Sequence, residues 1–507
     1  MYLARRGEND GPIGVWYLML VTGLGALLRF YHLGYQSLWV DEFFTWRWVR
    51  PDTDLHFWEQ IFQAIQGPLY MATIWPLVRW GSSEFLLRLP AALVGVATIP
   101  LFTLTAQRII GVKTARWGAL LLAFSPFHLW YCQEARGYAF VMFFAVAASL
   151  VFWNMMQRGP RLATASLYAL LITCGMLSNL SGLFLLAAHG MTFLVWARPP
   201  SRRAWGWWLV AFVSGLLLLL PWFLRAFGDW AVERLVPGAA TGVAMRGEST
   251  FSLFALPFTG FAFLFGYSLG PPLRELHQTD RLQLIQQYWP LLLVAAGVAT
   301  AAWWAALARL RGRLWSLVLW VAIPLLAVIL LALRNVKPFN PRYVAVGFPW
   351  VLLLTAHGLL GLRRWRRWVV TAILLSLSLW SVAQYHCDTR YAKADMRGAA
   401  AWVAAREAPG EPVLVPVVHQ VFQYYYHGPA RVLDSLDQSS LRSEEDARVF
   451  LLRKLNDASS CRIVLARSWF LDPQDFLPLV LHSQGTIVEE EQLNGVRLYR
   501  WKRHRVQ

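Results

Sequence analysis

A helix that spans the hydrocarbon core of a bilayer needs roughly 20 mostly apolar residues, and runs of that kind recur along this chain. Eleven can be read, at about 14–33, 86–106, 116–131, 137–156, 163–178, 182–197, 206–226, 289–308, 314–333, 343–361 and 368–385. The third, fifth and sixth are short or closely spaced. Composition agrees: hydrophobic residues make up 57% and charged residues 15%, against about 25% charged in a soluble domain. That excludes a string of soluble domains and an intrinsically disordered chain. The expected fold is a polytopic α-helical membrane protein with about eleven spans.

Basic residues then orient the spans. Five short connections carry Arg108, Lys113 and Arg116; Arg158 and Arg161; Arg198, Arg202 and Arg203; Arg309, Arg311 and Arg313; and Arg363, Arg364, Arg366 and Arg367, with no acid among them. They fall on alternate connections, as the positive-inside rule requires of one cytoplasmic face. Only Glu8 and Asp10 of the 29 acids share that face. The net charge of +18 is therefore a topology signal, and no nucleic-acid partner is implied. The expected topology has a cytoplasmic N-terminus and an extracytoplasmic C-terminus. Arg5–Arg6 before an apolar run without a small-residue cleavage site reads as a signal anchor.

Two domains follow: residues 1–385 in the membrane and 386–507 outside it. The first large outward loop, 34–85, carries Trp39, Trp46, Trp48 and Trp58 and has an interfacial character. The second, 227–288, contains an apolar stretch at 251–269 that is expected to be re-entrant or interfacial. The tail reads as a soluble α/β domain. Strand-like runs (412–418, 431–433, 462–466, 486–489, 496–501) alternate with helical patterns at 395–407, 443–457 and 473–483. No Gly-rich phosphate fingerprint follows any strand. Cys387 and Cys461 both lie on the outward side, where a disulfide between them is compatible with the oxidising compartment.

Four outward motifs carry the chemistry. Ser37-Leu38-Trp39-Val40-Asp41-Glu42 places two carboxylates beyond the first span. Gln66-Gly67-Pro68-Leu69-Tyr70 and Ser83-Glu84-Phe85-Leu86-Leu87-Arg88-Leu89-Pro90 precede the second. Ser125-Pro126-Phe127-His128-Leu129-Trp130-Tyr131-Cys132-Gln133-Glu134-Ala135-Arg136-Gly137-Tyr138 is the turn between the third and fourth. Lys337-Pro338-Phe339-Asn340-Pro341-Arg342-Tyr343 precedes the tenth. Adjacent carboxylates can divide roles, one as a base and one as an orienter or metal ligand.

In this order the motifs over 34–140 resemble the bacterial GT-C glycosyltransferases, relatives of the protein O-mannosyltransferases and lipid A aminoarabinose transferases of the family 39 type. Pro341-Arg342-Tyr343 and Lys393-Ala394-Asp395-Met396-Arg397-Gly398 at the start of the tail are also similar to members of that group. The resemblance implies a membrane enzyme that moves a sugar from a polyprenyl-phosphate carrier to a lipid, glycan or protein acceptor outside the bacterial inner membrane. It implies inversion at C1, and it places the catalytic carboxylate at Asp41. Two features depart from the family. Gln66-Gly67 stands where a His often precedes Pro-Leu-Tyr, and Leu177-Ser178-Asn179-Leu180 replaces a His-Tyr pair.

The chemistry of the side chains agrees with that expectation. A polyprenyl phosphate leaves readily only if its developing charge is neutralised, and Arg88, Arg136, Lys337 and Arg342 supply cations suited to phosphate. Tyr70, Tyr138 and Tyr343 can donate to the same group or to the sugar. Asp41 and Glu42 form the catalytic pair. They are also the two residues that could hold a divalent cation (Mg or Mn), and no other cofactor is indicated. Glu134 is open between pairing with Arg136 and serving as a second carboxylate. Asp52-Thr53-Asp54 reads as a helix cap, and His189 and His357 as neutral, hydrogen-bonded core histidines. The competing function is a sugar-lipid or polyprenyl-phosphate transporter. It calls for charged groups near the middle of the spans, which the sequence largely lacks.

Overall fold

The computed structural model describes residues 13–63, 67–197, 199–235, 251–435, 440–456 and 458–504. Gln66, Arg198, Arg5, Arg6, Glu8 and Asp10 lie outside the described residues, as does 236–250 of the second outward loop.

The chain folds into α1 (Val15–Phe30), α2 (Val40–Val49), α3 (Phe57–Gln63), α4 (Pro68–Ile74), α5 (Glu84–Ile110), α6 (Val112–Ala123), α7 (Pro126–Cys132), α8 (Tyr138–Arg158), α9 (Leu162–Ser178), α10 (Gly182–Trp196) and α11 (Arg202–Leu235). There follow α12 (Ala255–Phe265), α13 (Leu273–Gln278), α14 (Arg281–Arg309), α15 (Ser316–Leu333), α16 (Phe348–Gly361), α17 (Arg364–Cys387), α18 (Met396–Ala404), α19 (His419–Tyr425), α20 (Glu444–Leu455) and α21 (Phe476–Gln484). Among the described residues, 7 helical segments are long and apolar enough to cross a membrane, and α1, α9, α10 and α12 are shorter apolar helices. The protein is thus a multi-helix membrane chain.

The third run, 116–131, is broken. α6 stops at Ala123, and α7 starts with Pro126 at its first turn, capped by Ser125, whose hydroxyl accepts from the His128 N–H. Proline is pre-shaped for a first turn but cannot donate to the preceding one. Ser83 caps α5 in the same way, accepting from the Leu86 N–H. Gly111 ends α5 at φ +108, a conformation that favours glycine. The 251–269 stretch contains an 11-residue helix, α12, stopped by Gly266 at φ +74.

The chain divides into two compact units. The first comprises 1–33, 48–270 and 288–382; the second comprises 34–47, 271–287 and 383–507. The second therefore contains the tail and two further segments. In the first unit α5 packs on α1, α6, α7 and α8, α9 packs on α8 and α11, and α16 packs on α6. His189 meets expectation, lying 2.9 Å from both Ser149 Oγ and Tyr168 Oη. The His357 ring, in contrast, makes no hydrogen bond among the described residues. Asp52 pairs with Arg50 at 3.5 Å instead of capping a helix.

The second unit holds a five-stranded sheet in the order β2-β1-β3-β5-β4, formed by β1 (Val413–Leu414), β2 (Val432–Leu433), β3 (Ser460–Ala466), β4 (Gly485–Leu493) and β5 (Val496–Arg503). β2, β1 and β3 run parallel, and β5 and β4 continue antiparallel. Side chains of β3 alternate between two cores, as a strand covered on both faces must. Val464 and Ala466 meet α18 and α19 residues on one side; Cys461, Ile463 and Leu465 meet α20 and α21 residues on the other. Phe43 of the first outward loop completes the former core. The α19 helix was not expected from sequence. Cys387 and Cys461, which the sequence left open to pairing, are both free thiols, the first exposed and the second buried in β3.

Candidate active site

Two motif glycines explain how distant segments of the first unit meet. A Cβ on Gly67, which sits at φ +90, or on Gly137 would collide with the backbone carbonyl of Ser178. Both chains approach the end of α9 closely because neither carries a side chain there. The Leu177–Leu180 segment is thus the surface on which two motifs are laid.

Around that point the structure gathers Glu134, Arg136, Tyr138, Arg342, Tyr343 and Lys337. Tyr138 opens α8 and is buried. Arg342, Arg136, Tyr343 and Glu134 all lie close enough to act on its phenol electrostatically. Its ring packs 4.8 Å from Tyr131, whose hydroxyl bonds that of Tyr267 at 2.9 Å. Asn340 caps the Pro341–Gly347 turn by accepting from the Arg342 N–H at 3.1 Å. Arg342 Nη2 lies 3.3 Å from Tyr343 Oη, and Lys337 Nζ sits 4.4 Å above the Tyr343 ring. Three cations and four phenols, counting Tyr131 and Tyr267, are held by helix starts and aromatic packing. Sequence reasoning missed Tyr267, because a lone Tyr after an apolar stretch carries no motif.

Arg88 and Tyr70 form a second group. Arg88 is buried in the first turns of α5, with Nη1 donating to the Leu33 carbonyl at 3.0 Å. Tyr70 donates its hydroxyl to the Leu87 carbonyl at 2.6 Å and meets Phe140 edge-on at 5.3 Å. The Tyr70 bond ties α4 to α5, and the Arg88 bond ties α5 to the chain that follows α1.

Asp41 and Glu42 belong to the second unit, in the first turn of α2. Glu42 is fully buried. Its Oε2 accepts from the Trp39 N–H at 3.3 Å, as a carboxylate three residues into a helix does, and from Lys393 Nζ at 2.8 Å. The surrounding backbone is pinned to the tail. Leu38 N–H donates to Tyr425 Oη at 2.7 Å, Ser37 Oγ donates to Asp395 Oδ1 at 3.2 Å, and Lys393 N–H donates to Gln36 Oε1 at 3.2 Å. Asp395 in turn caps α18, accepting from the Gly398 N–H at 2.8 Å. The two sequence motifs, Trp39-Val40-Asp41-Glu42 and Lys393-Ala394-Asp395-Met396-Arg397, are therefore one assembly. Asp41 is half-buried on the same turn, with its carbonyl accepting from Thr45 Oγ1 at 3.2 Å. Lys393 is a residue whose motif was visible in the sequence and whose partner was not.

These residues fit a divalent cation poorly. Among the described residues, no group of three or more His, Cys, Asp or Glu could hold a metal. An ammonium already occupies one Glu42 oxygen.

No protein-family profile matches the chain, and no curated protein matches it in sequence. Solved structures do. The crystal structure of ArnT from Cupriavidus metallidurans in the apo state is 14% identical, with a TM-score of 0.54 over 96% of this chain and 98% of that one. The same protein bound to undecaprenyl phosphate is 15% identical, with a TM-score of 0.56 and the same coverage. The oligosaccharyltransferase of Archaeoglobus fulgidus in its apo form is 12% identical, with a TM-score of 0.50 over 97% of this chain and 74% of that one. Likeness over nearly the whole chain, tail included, shows that this protein has the fold of the GT-C membrane glycosyltransferases.

Proposed function

We propose that the protein is an integral-membrane glycosyltransferase that moves a sugar from a polyprenyl-phosphate-linked donor to an acceptor hydroxyl on the extracytoplasmic face. The observation that carries this reading is the cluster of Arg136, Arg342 and Lys337 around Tyr138 and Tyr343, a set of donors suited to a phosphate ester. The ArnT structure that shares the fold is bound to undecaprenyl phosphate, which supports the same donor class here.

In this reaction the sugar C1–O bond to the phosphate breaks and a C1–O bond to the acceptor forms. The acceptor proton passes to the Asp41 carboxylate, and the polyprenyl phosphate leaves with the bonding electrons, its charge offset by the arginines and Lys337. A single in-line displacement inverts C1. Glu42 is a positioning residue. It holds the start of α2 against Lys393, which leaves Asp41 as the carboxylate that takes the proton. Tyr70 braces the α4–α5 corner, and Arg88 ties α5 to Leu33. The acceptor is a lipid, a glycan or a protein, and the setting is a bacterial inner membrane with the tail outside.

The test is transfer by purified Asp41→Asn protein in lipid nanodiscs. A general base is worth about 10²–10⁴-fold, so turnover falls by that factor while the protein stays folded and still binds undecaprenyl phosphate. Turnover at the wild-type rate overturns the base assignment. Failure of the wild-type protein to bind undecaprenyl phosphate overturns the donor class.

A further inference from the structure

Arg29 lies at the end of an apolar helix, is fully buried, and belongs to none of the motifs above. Charged groups inside apolar spans are costly and are kept where they have a partner and a task. Its partners are backbone carbonyls freed by the break in the third apolar run. In a continuous helix the N–H of residue 126 would donate to the Leu122 carbonyl and that of residue 127 to Ala123. Pro126 has no N–H, and the chain turns before residue 127 can reach back. The Ser125 N–H reaches back to the Leu122 carbonyl at 3.3 Å, and Arg29 donates to both carbonyls. Nη2 donates to Leu122 O at 3.0 Å, and Nη1 donates to Ala123 O at 3.0 Å and Gly25 O at 2.8 Å. A cation at the carbonyl end of α6 also meets the negative pole of that helix.

The same guanidinium reaches α7. Nη2 lies 2.7 Å from His128 Nδ1, and because a guanidinium can only donate, Nδ1 is the acceptor. The fit is close on the other sides. A Cβ on Gly95 would strike Cys132 Sγ, and one on Gly25 would strike Ile99 and crowd Arg29 Nη1. The return contact comes from the residue that follows α7. Gln133 Nε2 lies 2.7 Å from Tyr31 O, 3.1 Å from Arg29 O and 3.3 Å from Leu28 O. Arg29 of α1 therefore caps the end of α6, and Gln133, beyond α7, caps the end of α1. Between them they hold both ends of the segment that leads into Glu134 and Arg136, where the Arg136 N–H closes on the Glu134 carbonyl at 2.7 Å.

We propose that Arg29 and Gln133 are positioning residues, a reciprocal clamp that sets the backbone of the 133–138 turn and so aims Arg136 at the donor phosphate. The last step rests on the polyprenyl-phosphate reading above. Lysine cannot replace Arg29: one ammonium lacks the planar fork that serves α1, α6 and α7 together. Leucine in place of Gln133 has no N–H for the α1 carbonyls.

Two measurements on the full-length protein in lipid nanodiscs test the clamp, with undecaprenyl phosphate as the probe. The first is backbone hydrogen exchange over 133–138, which needs no ligand. Arg29→Lys and Gln133→Leu accelerate it, while exchange in α9 and α11 stays as in the wild type. Unchanged exchange over 133–138 overturns the proposal. Exchange raised everywhere does so as well, since it shows a general structural role. The second is affinity in a double-mutant cycle. Gln133→Leu lowers affinity about tenfold, the scale of one charge-assisted hydrogen bond, and adds nothing when combined with Arg136→Gln. Independent, additive losses overturn the link to Arg136. A wild-type protein that does not bind the probe overturns the donor reading and the link to the phosphate, leaving exchange to decide the clamp. If Arg29→Lys does not fold, Gln133→Leu carries both measurements.

Discussion

Glu42 and Lys393 form a buried ion pair, Oε2 to Nζ 2.8 Å, between residues 351 positions apart in the chain. The pair ties the first turn of α2 to the segment entering α18. Removing one partner of such a pair leaves a charge desolvated without compensation, a loss of about 3–5 kcal/mol. Glu42→Ala and Lys393→Ala are each expected to lower the unfolding temperature of the second unit. Glu42→Leu combined with Lys393→Met should recover most of that loss. Thermal unfolding of the four proteins checks this, and additive penalties would show that the two charges do not depend on each other.

Chelation is expected to leave transfer intact, because one oxygen of Glu42 is already bonded to Lys393. The measurement is turnover after exhaustive treatment with EDTA, then after adding back Mg or Mn. Loss on chelation with recovery on either ion would return Asp41 and Glu42 to a metal role.

Arg136→Gln and Arg342→Gln are expected to weaken undecaprenyl phosphate binding by about 10–100-fold each, since hydrogen bonds to charged groups contribute about 1.5–3 kcal/mol. Tyr70→Phe acts differently. It removes a bond to the Leu87 carbonyl, so it should reduce stability by about 1 kcal/mol with donor affinity little changed. Titration of the three variants separates ligand contact from bracing.

Gly137→Ala is expected to be more damaging than its size suggests, because the added methyl group meets the Ser178 carbonyl, backbone that cannot swing aside. Gly67→Ala adds the strain of φ +90 to the same collision. Both variants should express poorly or melt early. Gly190→Ala, where open space surrounds the position, should behave as the wild type.

Cysteine labelling distinguishes the two tail thiols. Cys387 is exposed, whereas Cys461 is buried among β3 neighbours and its thiol is pushed up from the ordinary range by desolvation. Maleimide treatment of the folded protein at pH 8 is expected to modify Cys387 and spare Cys461, with no cross-linked peptide between them on mass-spectrometric mapping. A Cys387–Cys461 peptide would show that the tail adopts another arrangement.

The sequence by itself determined a membrane bundle with an α/β tail, because hydropathy and strand alternation are local sums that a window of residues can report. The same averaging hid what a single residue does. The 116–131 run is mostly apolar and so reads as one span, yet Pro126 cannot donate to the preceding turn, and the helix divides there. Arg29 is one charge within an apolar run, and nothing near it in sequence names the Leu122, Ala123 and His128 atoms it serves. Only the tertiary structure decided that Asp41 and Glu42, adjacent and alike in chemistry, have different surroundings. Glu42 is buried against an ammonium 351 residues away, and Asp41 is half-buried on the same turn. The physical reason is that burying a charge is tolerated only where distant chain supplies its counter-charge, and which distant segment arrives is a property of the fold.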